Sequence, residues 1–156
     1  AEAILKAVRT GVLLTTRANG QTNTMSISWG TLGIQWNTPI FTVFVRGCRH
    51  TKAMLDESME FTVNIPLEPV DKNIIRVCGT KSGRDMDKLK ECGLSTEKID
   101  GVPAIAESNV IMICKKLYAQ DLDQNLFIDT EVLDKNYPAR DMHRVYVGEI
   151  VKVLKK

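Results

Sequence analysis

The sequence is poor in aromatic residues and lacks any apolar stretch long enough to cross a membrane. Phenylalanine, tryptophan and tyrosine together make up 6% of the 156 residues. The longest apolar runs, such as residues 109–114, are far shorter than the roughly 20 residues that a spanning helix needs. No charged and apolar leader precedes them, so we expect a cytoplasmic protein that is not bound to a membrane.

An excess of charge of one sign is also missing. The chain has 21 Lys and Arg against 19 Asp and Glu, which gives a net charge of +2, and the two signs are interspersed. No dominant basic field is therefore available to attract nucleic acid or anionic lipid, and we expect neither as a partner. Any anion that the protein binds must be held by a local site.

The cysteines are few and widely spaced. Cys48, Cys78, Cys92 and Cys114 form neither a C-x-x-C pair nor the paired Cys and His spacing of a zinc site. We therefore expect no metal centre. Disulfide frameworks are typical of short secreted chains, so reduced thiols are the expectation here.

What the sequence does contain is a series of strand-like segments of alternating apolar and β-branched residues. Asn19-Gly20, the dipeptide that most favours a tight hairpin turn, separates the first two of them. Hydrophobic residues make up 44% and charged residues 26% of the chain, as in ordinary globular proteins. We expect one domain over residues 1–156. The predicted strands lie in residues 12–18, 21–29, 39–46, 61–66, 109–122, 125–135 and 143–154.

Four short helices are predicted between or before these strands. Residues 1–9 are followed by a stop at Gly11, a second helix begins with Thr51 as its N-cap, and residues 70–79 and 86–93 end at Gly79 and Gly93. Consecutive strands joined by short turns favour antiparallel pairing, and closing the sheet into a barrel removes its edges. The predicted fold class is therefore mainly β, a barrel decorated by helices.

Residues 45–51, VRGCRHT, end a predicted strand and open a predicted helix. Free backbone N–H groups and the helix dipole attract anions at such a junction, and Arg49 and Thr51 add a guanidinium and a hydroxyl. These features predict a phosphate site. The alternative is that Thr51 is a plain N-cap and Arg49 a solvated surface residue.

Two further segments suggest a ligand site. Residues 80–83, TKSG, form a polar loop without the G-x-x-x-x-G-K-[ST] pattern of a P-loop, so they are either an anion-contacting loop or a surface loop. In residues 23–30, NTMSISWG, the period of two separates an apolar face from a small polar one. The polar face suits a flat heteroaromatic ligand, or it is simply a solvent face. The first face carries Asn23, Met25 and Ile27, and the second Thr24, Ser26 and Ser28.

Single residues leave alternatives open. Trp29 and Trp36, the two tryptophans of the chain, are by default core or dimer-interface rings. His143 begins a strand-like segment and is either a site residue or a surface histidine. Cys48 lies between Arg46 and Arg49 and is either an activated thiol or a buried inert cysteine.

Five ordered motifs together resemble the flavin reductase-like family of FMN-binding split β-barrels, which includes flavoredoxins and ferric reductases. The resemblance extends from about residue 10 to residue 152. Its motifs are NTMSISWGTLG at 23–33, VRGCRHTKAML at 45–55, EFTVNIP at 60–66, TKSGRDMDKLKECGL at 80–94 and HRVYVGEIV at 143–151.

The resemblance implies a Greek-key-like antiparallel barrel, non-covalently bound FMN and a set of site residues. His143 is implied near the flavin ring, and His143 and Cys48 are the implied catalytic residues. Many relatives have serine where this chain has Cys48, which removes one phosphate-binding hydroxyl or brings a thiol to the flavin. The implied cofactor-binding residues are Asn23, Thr24, Met25, Ser26, Trp29, Arg46, Cys48, Arg49, Thr51, Lys81 and Ser82.

The implied function is that of an FMN-dependent oxidoreductase, a flavin reductase that takes electrons from NAD(P)H and delivers them to a flavin, a ferric complex or a protein acceptor. The alternative is a flavoredoxin-type electron-transfer protein that holds FMN tightly without oxidising nicotinamide. Family members form dimers with flavin sites near the subunit interface, so a homodimer is also implied.

Overall fold

The computed structural model describes residues 1–66, 72–83 and 86–156. In these residues short helices are set between strands of an antiparallel sheet. The helices are α1 (Glu2–Thr10), α2 (His50–Glu57), α3 (Lys72–Thr80), α4 (Lys88–Glu91) and α5 (Thr130–Asn136), with a 3-10 helix at Gln124–Leu126. The strands are β1 (Val12–Ala18), β2 (Gln21–Ile27), β3 (Gly30–Gln35), β4 (Thr38–Arg46), β5 (Glu60–Ile65), β6 (Thr96–Ile99), β7 (Val102–Ile105), β8 (Val110–Asp121) and β9 (His143–Lys155).

The main sheet has seven strands in the order β2-β1-β5-β8-β9-β4-β3, and every pairing is antiparallel. The mainly β fold class predicted from the sequence is therefore confirmed. The β1–β2 hairpin turns at Asn19 and Gly20, whose φ angles are 52° and 78° as a tight turn of this kind requires. Strands β6 and β7 form a separate two-stranded sheet.

The connection between β2 and β3 forces the sheet to curl. These strands lie at opposite ends of the strand order, and in a flat sheet the six intervening steps would separate them by about 29 Å. Only Ser28 and Trp29 join them, so Ile27 and Gly30 lie at most about 11 Å apart. The sheet is therefore a barrel that remains open along the line where β2 and β3 meet.

The core fills the inside of this barrel. Six strands each contribute side chains that are almost completely buried, and the partly buried Leu32 of β3 packs against them. The alternate residues of the same strands face outward, and helices and the β6–β7 hairpin cover part of that outer surface. Representative core residues are Leu14, Met25, Val43, Phe61, Met112 and Tyr146.

The β6–β7 hairpin covers the outer face of β5 and β8. Ile99 and Val102 pack against Ile111 and Ile113 of β8. The buried Asn64 of β5 accepts a hydrogen bond from the backbone N–H of Ile105 at 2.9 Å. The buried amide oxygen of Asn64 thus has a partner, as burial requires.

The segment at 125–135 was predicted as a strand, and this prediction is wrong. It contains part of the 3-10 helix and most of α5, because Asp123 and Asp129 accept hydrogen bonds from the backbone N–H groups of Asn125 and Glu131. These N-caps favour helical turns more strongly than the apolar residues of the segment favour a strand. The aspartates are a sequence signal that the strand interpretation overlooked.

Other predicted helix and strand ends differ from the observed ends by only a few residues. Helix α3 includes Gly79 and ends at Thr80, whereas the sequence predicted that Gly79 would close it; residues 70 and 71 of that prediction lie outside the described residues. Strand β3 and the β6–β7 hairpin were not predicted. The hairpin turns at Asp100-Gly101, with φ angles of 52° and 84°, a turn signal of the same kind as Asn19-Gly20.

Gly79 allows α3 to lie close to β2, and this contact gives a test of the fold. A Cβ at Gly79 would overlap the hydroxyl of Ser26. Alanine normally stabilises a helix by about 1 kcal/mol relative to glycine, but we expect Gly79→Ala to destabilise the protein by about 1–3 kcal/mol through overpacking. Urea unfolding of Gly79→Ala and the wild type measures this change.

The double variant isolates the contact. In a Ser26→Ala background the overlapping oxygen is gone, so Gly79→Ala should become neutral or stabilising. Gly33→Ala is the control, because a Cβ there meets no atom within 4 Å. A Gly79→Ala variant as stable as the wild type would contradict the close packing of α3 on β2.

Candidate functional site

A cleft lies on the outer face of the barrel, at the line where β2 and β3 meet. It has a volume of about 150 Å³. Two guanidinium groups, two serine hydroxyls and an indole face the same small space. The lining residues are Met25, Ser26, Ile27, Ser28, Trp29, Phe44, Arg46, Arg49 and His143.

Strands β4 and β9 bring Arg46 and His143 to the cleft. The two residues are directly opposite each other in the antiparallel register, so their side chains project from the same face of the sheet. Phe44, two residues before Arg46, shares that face. Both Arg46 and His143 were predicted to be site residues, and the fold brings them together although they are far apart in the chain.

Trp29 stands in the two-residue link itself. Its side chain is 42% exposed, so it is not a core ring. The indole lies 5.0 Å from the imidazole of His143 and 6.4 Å from the ring of Tyr137, measured between ring centroids. The position of Trp29 therefore follows from the closure of the barrel.

Arg46 fixes the segment between α5 and β9. Its guanidinium donates hydrogen bonds to the carbonyl oxygens of Asn136 and Asp141 and pairs with the Asp141 carboxylate at 3.1 Å. It also lies over the ring of Tyr137, 5.2 Å from the centroid. Such a stacked and bonded arginine holds its neighbours as well as supplying positive charge.

His143 is buried and is hydrogen-bonded to Tyr137. The Tyr137 hydroxyl lies 2.7 Å from Nδ1 of His143. Burial, and next the positive charge of Arg46, lower the pKa of His143 to about 4, because both disfavour the imidazolium. The imidazole is therefore neutral at neutral pH. The interpretation of His143 as a surface histidine is wrong.

Arg49 and Lys88 meet at the carboxyl end of α3. Arg49 donates to the carbonyl oxygens of Gly79 and Cys78 at 2.7 and 3.0 Å, and Lys88 Nζ donates to Cys78 O and Thr24 O at 3.2 and 2.9 Å. The carbonyl groups and dipole at a helix carboxyl end favour cations. Arg49 is thus not the solvated surface residue of the alternative interpretation.

Both cations are partly desolvated. Burial is the main cause that lowers the pKa of Arg49, and burial together with the charge of Arg49 lowers the pKa of Lys88 to about 8. Within residues 1–66, 72–83 and 86–156, neither side chain forms a salt bridge with a carboxylate. Both positive charges thus lie at the carboxyl end of α3, and Arg49 also lines the cleft.

Thr51 lies behind the cleft in the first turn of α2. The helix begins at His50, with Arg49 in the N-cap position and no side-chain cap, so the prediction of Thr51 as N-cap is wrong. Its buried hydroxyl accepts a hydrogen bond from the Asn23 amide at 2.9 Å. This bond joins β2 to the turn that was predicted to bind phosphate.

The polar face of β2 is covered rather than solvated. Thr24 is fully buried and donates its hydroxyl proton to Leu14 O, and Ser26 donates to Ile75 O of α3 at 2.9 Å. Met25 packs in the core and also contributes to the cleft wall. The solvent-face interpretation is therefore wrong at Thr24 and Ser26, while Ser28 is exposed.

Three of the predicted site residues lie in exposed turns. Lys81 is exposed and Ser82 half-buried in the loop after α3. Gly83 in the same loop lies so close to Asn23 that a Cβ would overlap its amide. Cys48 is exposed in the turn between β4 and α2, so it is not the buried cysteine of the alternative interpretation.

A larger apolar cavity of about 630 Å³ adjoins the cleft. The two spaces share Ser28, Trp29 and Phe44, so the Trp29 side chain forms a common wall. Cavities of this size with mostly apolar walls are typical of small-molecule sites. The remaining wall residues are Leu5, Val8, Arg9, Gly30, Thr31, Leu122, Phe127, Val132, Asn136 and Tyr137.

Sequence reasoning missed Phe44, Tyr137 and Lys88. Phe44 had a signal, because it lies two residues before Arg46 on a predicted strand and so on the same face. Tyr137 and Lys88 had none, since only the packing of α5 and α4 on the barrel brings them to the site.

The sequence matches the profile of the flavin reductase like domain over residues 6–155. The chain belongs to the flavin reductase-like domain family. This confirms the resemblance carried by the five motifs and supports a flavin-related reductase or electron-transfer role. No protein of curated function matches the sequence.

Solved structures share the fold of this flavin reductase-like domain. The flavoredoxin of Desulfovibrio vulgaris (Miyazaki F) is 19% identical with a TM-score of 0.72, and the match covers 94% of this chain and 69% of that one. The flavoredoxin from Methanosarcina acetivorans is 22% identical with a TM-score of 0.70, and the match covers 94% of this chain and 68% of that one. The flavin reductase HpaC, solved with NADP+, is 16% identical with a TM-score of 0.68, and the match covers 99% of this chain and 86% of that one. These similarities show a common split β-barrel.

In the part of the chain that the structure describes, no helix combines the length and the apolar character needed to cross a bilayer.

Proposed function

We propose that this protein is an FMN-binding flavoprotein that takes electrons from NAD(P)H and passes them to a flavin, a ferric complex or a protein acceptor. The observation that carries the proposal is the combination, on one outer face of the barrel, of the Arg49 cation without a carboxylate partner among the described residues and the indole of Trp29. The first suits a phosphate and the second a flat heteroaromatic ring.

The donors of the cleft fit FMN. Arg49 uses two N–H groups on the carbonyls of α3, and a guanidinium carries five, so others remain for an anion. Ser28 and the neutral imidazole of His143 can donate to a flavin ring without carrying charge. When bound, FMN supplies the hydride and electron transfer, and the residues of the cleft bind and orient it.

Arg49 is the residue whose change best separates phosphate binding from ring binding. We expect Arg49→Gln to weaken FMN binding by about 10- to 100-fold, because a hydrogen bond to a charged group contributes about 1.5–3 kcal/mol. Affinity for riboflavin, which has the same ring and no phosphate, should change by less than about threefold. Fluorescence titration of both flavins measures the two affinities.

Arg76→Gln is the matched control, since Arg76 is exposed on α3 and bonds to Asn73 on the same helix. It should leave both affinities unchanged. Equal losses for FMN and riboflavin in Arg49→Gln would mean that Arg49 only supports α3. Unchanged FMN affinity would rule out the proposed phosphate site.

The apolar cavity beside Trp29 favours a reductase over a carrier, because it offers a second small molecule a place next to the cleft. We expect anaerobic NADH or NADPH to bleach the flavin absorbance of the FMN-loaded protein within seconds to minutes. Stopped-flow spectroscopy measures the rate. A flavin that dithionite reduces but neither nicotinamide bleaches would instead identify a flavoredoxin-type electron carrier.

We also propose a homodimer. Edge strand β3 and the turn that follows it expose apolar side chains, with Ile34 73% and Trp36 57% exposed. Because more than half of Trp36 is exposed, it is not in the core. Its ring contacts that of Tyr118, 6.2 Å between centroids. Exposed apolar side chains at the free edge of a sheet are typical of an interaction surface.

Trp36→Glu tests this surface. We expect it to convert a dimer to a monomer in size-exclusion chromatography with light scattering, because it places a charge in an apolar interface. Ile128→Glu is the control, since Ile128 is fully exposed and lies outside β3 and the turn that follows it. A wild type that is monomeric at high concentration, or a Trp36→Glu variant that stays dimeric, would refute an interface at this edge.

A further inference from the structure

Tyr137 has a buried side chain, and contacts on several sides fix the position of its hydroxyl. Its side chain is 3% exposed, and it ends α5 at the C-cap position. The rings of Trp29 and Phe127 contact it edge-on, at 6.4 and 6.0 Å between centroids. Arg46, bonded to the carbonyl oxygens before and after it, lies over its face. These contacts hold the ring in one orientation, so the hydroxyl points in one direction.

The direction of the Tyr137–His143 hydrogen bond follows from counting donors. Burial is the main cause that raises the pKa of Tyr137, so the hydroxyl keeps its proton and must donate it. Within the described residues its one hydrogen-bond partner is Nδ1 of His143. Nδ1 must then be the acceptor, and in a neutral imidazole the proton is on Nε2.

We propose that Tyr137 is a positioning residue that holds His143 as the neutral Nε2–H tautomer, so that His143 offers the cleft a fixed hydrogen-bond donor instead of a titrating acid or base. Nδ1 is occupied by Tyr137, and Nε2 is the ring nitrogen left for a ligand in the cleft that His143 lines. The charged groups that act on the imidazole are Arg46 of β4 and Asp141 of the preceding loop.

The tautomer can be observed without any flavin. The protein has two histidines, so a ¹⁵N–¹H correlation spectrum of the imidazoles contains two spin systems, and a His50→Gln variant assigns them. We expect His143 in the wild type to show a protonated Nε2 and an unprotonated Nδ1 at neutral pH. A protonated Nδ1, or a fully charged ring, would overturn the inference whatever the flavin chemistry proves to be.

Tyr137→Phe removes only the hydroxyl and keeps the ring that Arg46 and Trp29 contact. We expect the His143 spectrum to change from one tautomer to a mixture, because Nδ1 loses its donor. Tyr118→Phe is the matched control, since that hydroxyl bonds the exposed Gln120 of the same strand, β8, and it should leave the His143 spectrum unchanged. A Tyr137→Phe spectrum identical to that of the wild type would refute the positioning role.

The expected effect of Tyr137 and His143 on the reduction of a bound flavin rests on the proposed function. In the FMN-loaded wild type we expect flavin reduction by NADH to show no ionisation near the ordinary histidine pKa of about 6.5. We expect Tyr137→Phe to slow it by about fivefold, as the loss of one hydrogen bond would. Failure to bind FMN at all would count against the proposed function and leave the tautomer result to decide this inference. A clear wild-type inflection near 6.5 that is lost in His143→Gln would show a titrating histidine and overturn it.

Discussion

The structure depends on the two-residue connection between β2 and β3. Ser28 and Trp29 join the outermost strands of a seven-stranded sheet, and this short link does not permit the sheet to remain flat. The curl that follows produces a closed core on one side and a cleft on the other. Trp29 lies at the cleft because it is part of the connection, so its placement follows from the chain path and does not need a separate packing interaction.

Helix α3 connects this barrel to the charge of the site. It lies against β2 because Gly79 has no side chain to meet Ser26, and its carboxyl end accepts hydrogen bonds from Arg49 and Lys88. The carbonyl oxygens of α3 accept hydrogen bonds that replace part of the hydration which the two desolvated cations have lost. The same contacts therefore fix the helix and keep positive charge beside the cleft.

The sequence predicted the strands well where alternation and turn chemistry agree, as at Asn19-Gly20 and in β4, β5 and β9. It failed at 125–135, where capping aspartates outweigh apolar residues, and at β3, whose mostly exposed residues leave no alternating pattern to detect. Arg49 and His143 were found because motifs carry them. Tyr137 and Lys88 were not, since their roles come from tertiary contacts that no local pattern encodes.

The charges of the cleft indicate what kind of chemistry its residues are suited to. Arg46 and Arg49 each bring a guanidinium group to it, while burial keeps His143 and Tyr137 neutral at neutral pH. The cleft thus has guanidinium groups and neutral hydrogen-bond donors, and none of the described residues that line it is a carboxylate. Such a set stabilises negative charge on a ligand without exchanging protons with it. A ligand that becomes more negative during the reaction, as an electron-accepting cofactor does, would gain the most from this arrangement.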